Sequence, residues 1–140
     1  GFIFQAYNLI PVLTAAENAE FVLQLQGKSA SERRARAYET LARVGLEGME
    51  TRRPNELSGG QQQRVAVARA IAGDPALVLA DEPTANLDST TSDELIATMK
   101  RLNTEFGVTF VFATHDPKVM EAAKRVVRLV DGEIAEDTLA

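Results

Sequence analysis

The run Ala76-Leu77-Val78-Leu79-Ala80 is wholly apolar and stops abruptly at Asp81-Glu82-Pro83. It is too short for a buried helix, and it lacks the alternation of a half-exposed strand. Such a run predicts a short strand buried on both faces, the form strands take in a parallel sheet. Two further runs have the same character: Phe2-Ile3-Phe4, and the β-branched and aromatic residues 108–113. Helical segments separate them. Strand, helix, strand, helix, strand is the grammar of an α/β sheet with crossover connections.

The helix starts are written in polar boxes. Thr14-Ala15-Ala16-Glu17, Ser29-Ala30-Ser31-Glu32 and Ser58-Gly59-Gly60-Gln61 each place a hydroxyl three residues before a Glu or Gln. In that spacing the two side chains each satisfy a free backbone N–H. The first helix carries Asn18, Phe21, Val22 and Leu25 at helical spacing, with Gly27 as its stop. The second carries Ala37, Leu41 and Val44, with Gly45 as its stop. Residues 8–53 therefore read as a helical block, closed by Pro54. A third helix is expected over about residues 59–72, ended by Gly73-Asp74-Pro75. Asp88 caps a fourth, with Leu95, Ile96, Met99, Leu102 and Phe106 on one face and Gly107 closing it. Asp116-Pro117 is an N-cap with proline at the first helical position. Residues 125–130 read as a strand, and Asp131-Gly132 as a hairpin turn into residues 133–136.

Composition excludes several classes. The apolar share is 45% and the charged share 25%, ordinary for a globular chain and wrong for a disordered tail. The apolar runs fall far short of the ~20 residues of a membrane-spanning helix. Fifteen Lys and Arg against twenty Asp and Glu give a net charge of −5, a poor balance for gripping a phosphate backbone. There is no cysteine, so disulfides and thiolate metal sites are excluded. Gly1-Phe2-Ile3-Phe4-Gln5 has no basic n-region or cleavage site of a signal peptide. The chain opens on a strand-like run without an initiator Met, as a cut chain would.

Chemistry-bearing residues fall at element ends. Gly59 and Gly60 leave backbone N–H groups bare at a helix start, where the dipole favours an anion. The same residues also read as a plain capping box with a flexible start. Asp81 and Glu82 lie at the carboxyl tip of a buried strand, where open α/β sheets bind ligands. There Asp81 could hold Mg²⁺, and Glu82 could orient and deprotonate water. Solvated acidic residues at a strand end are the plainer reading. His115, the only histidine, follows residues 108–113 and would approach the carboxylates if the two strands are neighbours. Gln5 also follows an apolar run, and Asp88 reads locally as an N-cap.

Taken in order, these residues resemble the nucleotide-binding ATPase subunit of ABC transporters. Leu57-Ser58-Gly59-Gly60-Gln61, followed by Gln62-Gln63-Arg64, is similar to that family's signature. Gln5 matches the Q-loop glutamine, residues 77–81 the Walker B strand, Asn86-Leu87-Asp88 the D-loop and His115 the switch histidine. Phe4-Gln5-Ala6-Tyr7-Asn8-Leu9-Ile10-Pro11 and Leu79-Ala80-Asp81-Glu82-Pro83-Thr84 look like the lipoprotein-release and macrolide-export branch, with Ala85 where that branch usually has Gly.

The resemblance implies a P-loop NTPase-like parallel sheet with crossover helices and an inserted helical subdomain. It implies residues 1–7 as the end of a core strand and the Q-loop, 8–57 as the helical subdomain, and 58–140 as the C-terminal part of the ATPase core. It implies Glu82 and His115 as catalytic, and Gln5, Ser58, Gly59, Gly60, Gln61 and Asp88 as contacts to ATP. Asp81 and Gln5 are the implied Mg²⁺ ligands. The expected partners are transmembrane permease subunits, received by the helical subdomain near Gln5, and a second ATPase subunit paired head to tail. No nucleic acid is expected. The expected place is the cytoplasmic side of the inner membrane, peripherally bound. A net charge of −5 suits docking to a membrane protein better than to anionic lipid.

One family element is missing. No G-x-x-x-x-G-K-[ST] occurs in the 140 residues, so a fragment without the phosphate cradle, inactive alone, is expected. Two rivals stand beside this reading. A soluble ABC-type ATPase of DNA repair or translation would insert long coiled coils between Gln5 and Ser58, and no sustained heptads occur there. A non-hydrolytic interaction module would carry no P-loop in its full gene.

Overall fold

The computed structural model describes residues 1–139. Strands β1 (Phe2–Ile3), β2 (Val78–Asp81) and β3 (Phe110–Ala113) form a parallel sheet in the order β1-β2-β3. The register aligns Ile3 with Ala80, Ala80 with Phe112, and Asp81 with Ala113. All three strands therefore point their carboxyl ends the same way, with β2 in the middle. Strands β4 (Arg125–Val130) and β5 (Glu133–Leu139) form a separate antiparallel hairpin. Its turn residues Asp131 and Gly132 both have positive φ, the conformation a tight two-residue hairpin demands.

Five α-helices complete the described chain: α1 (Ala15–Leu25), α2 (Ala30–Arg43), α3 (Gly59–Ile71), α4 (Ser89–Phe106) and α5 (Pro117–Ala122). The three capping boxes form as the spacing predicts, with the hydroxyl and the acid or amide exchanging bonds in each. Each such cap typically contributes ~1 kcal/mol. Asp88 caps α4, which ends at Gly107 in the left-handed conformation. Helix α1 packs on α2 and α3, and α3 also packs on β1 and α4.

The core lies where these helices meet the inner face of the sheet. Ile3, Leu41, Val44, Leu46, Val65, Val67, Val78, Leu95 and Leu102 are essentially fully buried. Burial of each such side chain stabilises by roughly 1.5–3 kcal/mol relative to exposure.

Packing departs from the expected pattern in three places. The buried face of α1 is Ala15, Ala16, Ala19 and Leu23, while Phe21 and Leu25 are exposed. Small alanines let α1 approach its neighbours closely, which turns the larger residues outward. Asn18 is buried for a polar reason. Its Oδ1 accepts from the Ile10 N–H at 2.8 Å, and its Nδ2 donates to the carbonyls of Ile10, Leu13 and Thr14. Strand β2 begins at Val78, and only its Val78 and Ala80 face is buried; Leu79 lies on a face shared with exposed Phe2 and Val111. Phe106 lies outside the core, under the guanidinium of Arg43 at 4.3 Å.

Candidate functional site at the strand tips

Parallel register decides which side chains meet. Asp81 pairs with Ala113, so Glu82 and Thr114 are each one step beyond aligned strand ends. The Glu82 N–H donates to the Ala113 carbonyl at 2.9 Å, extending the ladder past the strand. Glu82 has a φ of 42°, a left-handed conformation that is uncommon outside glycine, and it directly precedes Pro83. Strain of this kind tends to gather at functional sites.

The turn delivers the Glu82 carboxylate to three donors. Its Oε1 lies 2.6 Å from His115 Nδ1 and accepts the His115 backbone N–H at 3.2 Å. Its Oε2 accepts the Thr114 hydroxyl at 3.0 Å. Desolvation pushes the Glu82 carboxyl up, but the hydrogen bonds from His115 and Thr114 outweigh it, and the group lies below its ordinary value. The hydrogen bond to Glu82, reinforced by its charge, raises the His115 imidazole. The His115 side chain is 87% exposed, so the ring is held on one side and open on the other.

The other singled-out residues surround this pair unevenly. Asp81 is exposed at the end of β2. Gln5, exposed just past β1, is tied through its carbonyl to Asn86 Nδ2 at 2.9 Å. Gln5 and His115 therefore follow the strands on opposite sides of β2. Asp88 engages Thr91 with both carboxylate oxygens, and the backbone bond, then the hydroxyl bond, lower its carboxyl. Among the described residues, no hydrogen bond joins Ser58, Gly59, Gly60 or Gln61 to Glu82 or His115. The start of α3 packs instead on the loop after β1 and on α4. A methyl group on Gly59 would meet the Tyr7 hydroxyl at 2.9 Å, and one on Gly60 would overlap Thr91 Cγ2. Ser58 and Gln61 exchange the bonds of their box, leaving the amides of Gly59 and Gly60 without acceptors among the described residues.

Several supporting residues had no role of their own assigned from the sequence, although Gln63 and Thr84 fall within the motif runs there. Gln63 is fully buried, and its Nε2 donates to the Pro83 carbonyl at 2.8 Å and the Phe4 carbonyl at 3.4 Å. It thereby spans the exits of β1 and β2. Arg69 donates to the carbonyls of Tyr7 and Asn8, two successive residues of positive φ. Thr84 donates to Asp116 Oδ2 at 2.7 Å, and Lys118 Nζ donates to Asp93 and Ser89. A cleft of about 350 Å³ opens beside the pair, lined by Glu82, Thr84, Leu87, Ser89, His115 and Lys118 among others. The composite alternation of strands and helices could not signal these contacts, since each joins segments far apart in sequence.

The arrangement matches known proteins along its length. The family described as ABC transporter matches residues 1–85. The macrolide export ATP-binding/permease protein MacB of Mannheimia succiniciproducens is 49% identical over 138 residues, covering 99% of this chain and 21% of its own length. The lipoprotein-releasing system ATP-binding protein LolD of Geobacter metallireducens is 49% identical over 137 residues, covering 98% of this chain and 61% of its own. The solved dimer of the ATP-binding cassette MJ0796 of Methanocaldococcus jannaschii, in a post-hydrolysis state bound to ADP and Pi, superposes with a TM-score of 0.83 at 47% identity. That match covers 99% of this chain and 62% of the MJ0796 chain. The chain thus spans between about a fifth and three fifths of the length of these relatives.

Proposed function

This chain belongs to the ABC transporter family, and from that premise we propose that it is part of an ATP-hydrolysing subunit that powers transport through partner membrane-spanning subunits. The supporting observation is the Glu82–His115 pair at the tip of β2, closed at 2.6 Å on a strained turn. Glu82 accepts a proton from the attacking water at its carboxylate and orients that water. The donors around it keep the carboxylate ionised near neutral pH, ready to accept. His115, held through Nδ1, turns its free ring edge toward the substrate's terminal phosphate.

Asp81 and Gln5 suit Mg²⁺. One exposed carboxylate and one neutral amide at adjacent strand tips are the sparse oxygen set of an ion that keeps several waters and substrate phosphates. When bound, the ion would neutralise charge developing on the phosphates. Among the described residues no cluster of three or more His, Asp or Glu could hold a metal by itself, consistent with so sparse a set. The 140 residues contain no G-x-x-x-x-G-K-[ST], so the tightest phosphate contacts would lie outside them.

The remaining assignments follow the same reading. Residues 1–7 end a core strand and carry the Q-loop, 8–57 form a helical subdomain, and 58–140 belong to the ATPase core. In a head-to-tail dimer, Ser58, Gly59, Gly60 and Gln61 meet the nucleotide of the opposite subunit, using the free amides at the start of α3, with Asp88 close by. The helical subdomain near Gln5 receives the permease. No described helix is long and apolar enough to cross a membrane, and the proposed place is peripheral, on the cytoplasmic side of the inner membrane.

Glu82→Gln in the full-length protein tests the reading. Turnover should fall by ~10²–10⁴ while ATP binding persists, the loss expected for a general base. Turnover within a few-fold of the unmodified protein would contradict it.

A further inference from the structure

Resting on the reading of Glu82 as the water-activating carboxylate, we propose that Thr114 is a positioning residue whose hydroxyl fixes the Glu82 carboxylate in its working orientation. A hydroxyl has one proton, and the directions of its bonds here are settled by chemistry. An ionised carboxylate only accepts, so Thr114 Oγ1 donates to Glu82 Oε2 across 3.0 Å. The Asp116 backbone N–H only donates, so the same oxygen accepts from it at 3.0 Å. Thr114 therefore uses its proton on Glu82 and a lone pair on the chain that follows.

That chain is itself held. Asp116 Oδ1 accepts from the Lys118 N–H at 2.9 Å, capping α5, and Asp116 Oδ2 accepts from Thr84 Oγ1 at 2.7 Å. Thr84 is only 4% exposed and lies two residues beyond Glu82. The bonds close a ring from Glu82 through Pro83, Thr84, Asp116 and Thr114 back to the Glu82 carboxylate. Each member of the ring limits the movement of the next.

The two carboxylate oxygens differ in support. Oε1 takes two donors, both from His115. Oε2 takes only Thr114 among the described residues. The terminal torsion of a glutamate is broad and roughly two-fold, so one well-held oxygen does not fix the plane of the group. The second anchor does. A group that must meet a water needs its geometry held within about 0.5 Å and 10–20°, and Thr114 supplies that constraint without touching substrate.

The experiment uses the full-length protein, with Thr114→Val and Thr114→Ala to remove the hydroxyl, Thr114→Ser to restore it, and Glu82→Gln as reference. At saturating Mg-ATP, the Val and Ala variants should turn over about ten to a hundred times more slowly, the scale of a small misplacement. Their KM should stay within about twofold, because the bond acts on the attacking side rather than on nucleotide binding. Thr114→Ser should return most of the rate. A second readout needs no nucleotide. In glutamate-labelled protein, the infrared carboxylate bands of Glu82, identified by subtracting Glu82→Gln, should shift in the Val and Ala variants and not in Ser. Unchanged turnover in both Val and Ala, a Ser variant as slow as Val, or unmoved bands would each overturn the proposal. If Glu82→Gln itself keeps turnover, the general-base reading falls, and the infrared bands still decide whether Thr114 holds the carboxylate.

Discussion

Gly60 is the position where close packing and ligand binding make different demands, and Gly60→Ala separates them. A methyl group there would lie well under 3.0 Å from Thr91 Cγ2, closer than real Cβ contacts come. Thr91 cannot simply rotate away, because its hydroxyl donates to Asp88 Oδ2 at 3.0 Å. Breaking that bond costs ~0.5–1.5 kcal/mol. Shifting α3 away from α4 instead carries the usual overpacking cost of ~1–3 kcal/mol. The gain in helix propensity from Gly to Ala offsets at most ~1 kcal/mol, and less in a first turn. The cheaper relief, less a small first-turn offset, should leave Gly60→Ala about 0.5–1 kcal/mol less stable, read as a lower urea midpoint at constant m value. Thr91→Ser removes Cγ2 but keeps the hydroxyl, so the double variant should recover most of the loss. A Gly60→Ala protein as stable as its parent, or one that Thr91→Ser fails to rescue, would refute the packing argument. If the rescued double variant is stable yet slow in ATP turnover, the bare amides of this helix start matter to ligand as well as to packing.

Two further tests follow from particular contacts. Asn18→Ala should cost ~1–3 kcal/mol, because it strands the Ile10 N–H and the Leu13 carbonyl, while the Ile10 and Thr14 carbonyls keep backbone donors; a urea midpoint unchanged from the parent would show that the loop finds other partners. His115 is the only histidine, so its ring can be titrated alone by NMR. Its midpoint should lie above the ordinary 6.5 because Glu82 stabilises the protonated ring. A raised histidine lends its stabilisation at low pH and loses it as pH rises through the raised value, while Glu82, lowered, loses its share as pH falls through its own. The contact is therefore strongest between the two, and Glu82→Gln should bring the midpoint back toward 6.5. A midpoint at or below 6.5 in the unmodified protein would contradict the pairing.

Local signals carried the elements well and the contacts poorly. The three hydroxyl-x-x-acid or amide boxes predicted the starts of α1, α2 and α3, since a cap depends only on residues three apart. The apolar run at residues 76–80 predicted β2, but not that Leu79 would lie on an uncovered face, because burial depends on what packs from elsewhere. On α1, helical spacing favoured Phe21 and Leu25, whereas the neighbours admit only the alanine side. The approach of His115 to Glu82 was foreseeable once β2 and β3 were taken as neighbours, because parallel register places their next residues together. The contacts of Thr114, Gln63 and Arg69 were not foreseeable, even though Gln63 lies in the signature run. Threonine before a histidine, glutamine in a helix and arginine near a helix end are common, and only the meeting of distant segments gives them partners.

The claim that Glu82 and His115 act as one unit is tested most directly by a mutant cycle in turnover. Glu82→Gln, His115→Ala and the double variant would be compared in the full-length protein at saturating Mg-ATP, with nucleotide affinity measured by calorimetry on the same samples. Residues that act together lose activity non-additively. Each single change should lower turnover by at least ~10² with affinity nearly kept, and the double variant should be little slower than the worse single. Losses that multiply in the double variant, or a His115→Ala protein that binds ATP weakly but turns over normally once saturated, would contradict the account.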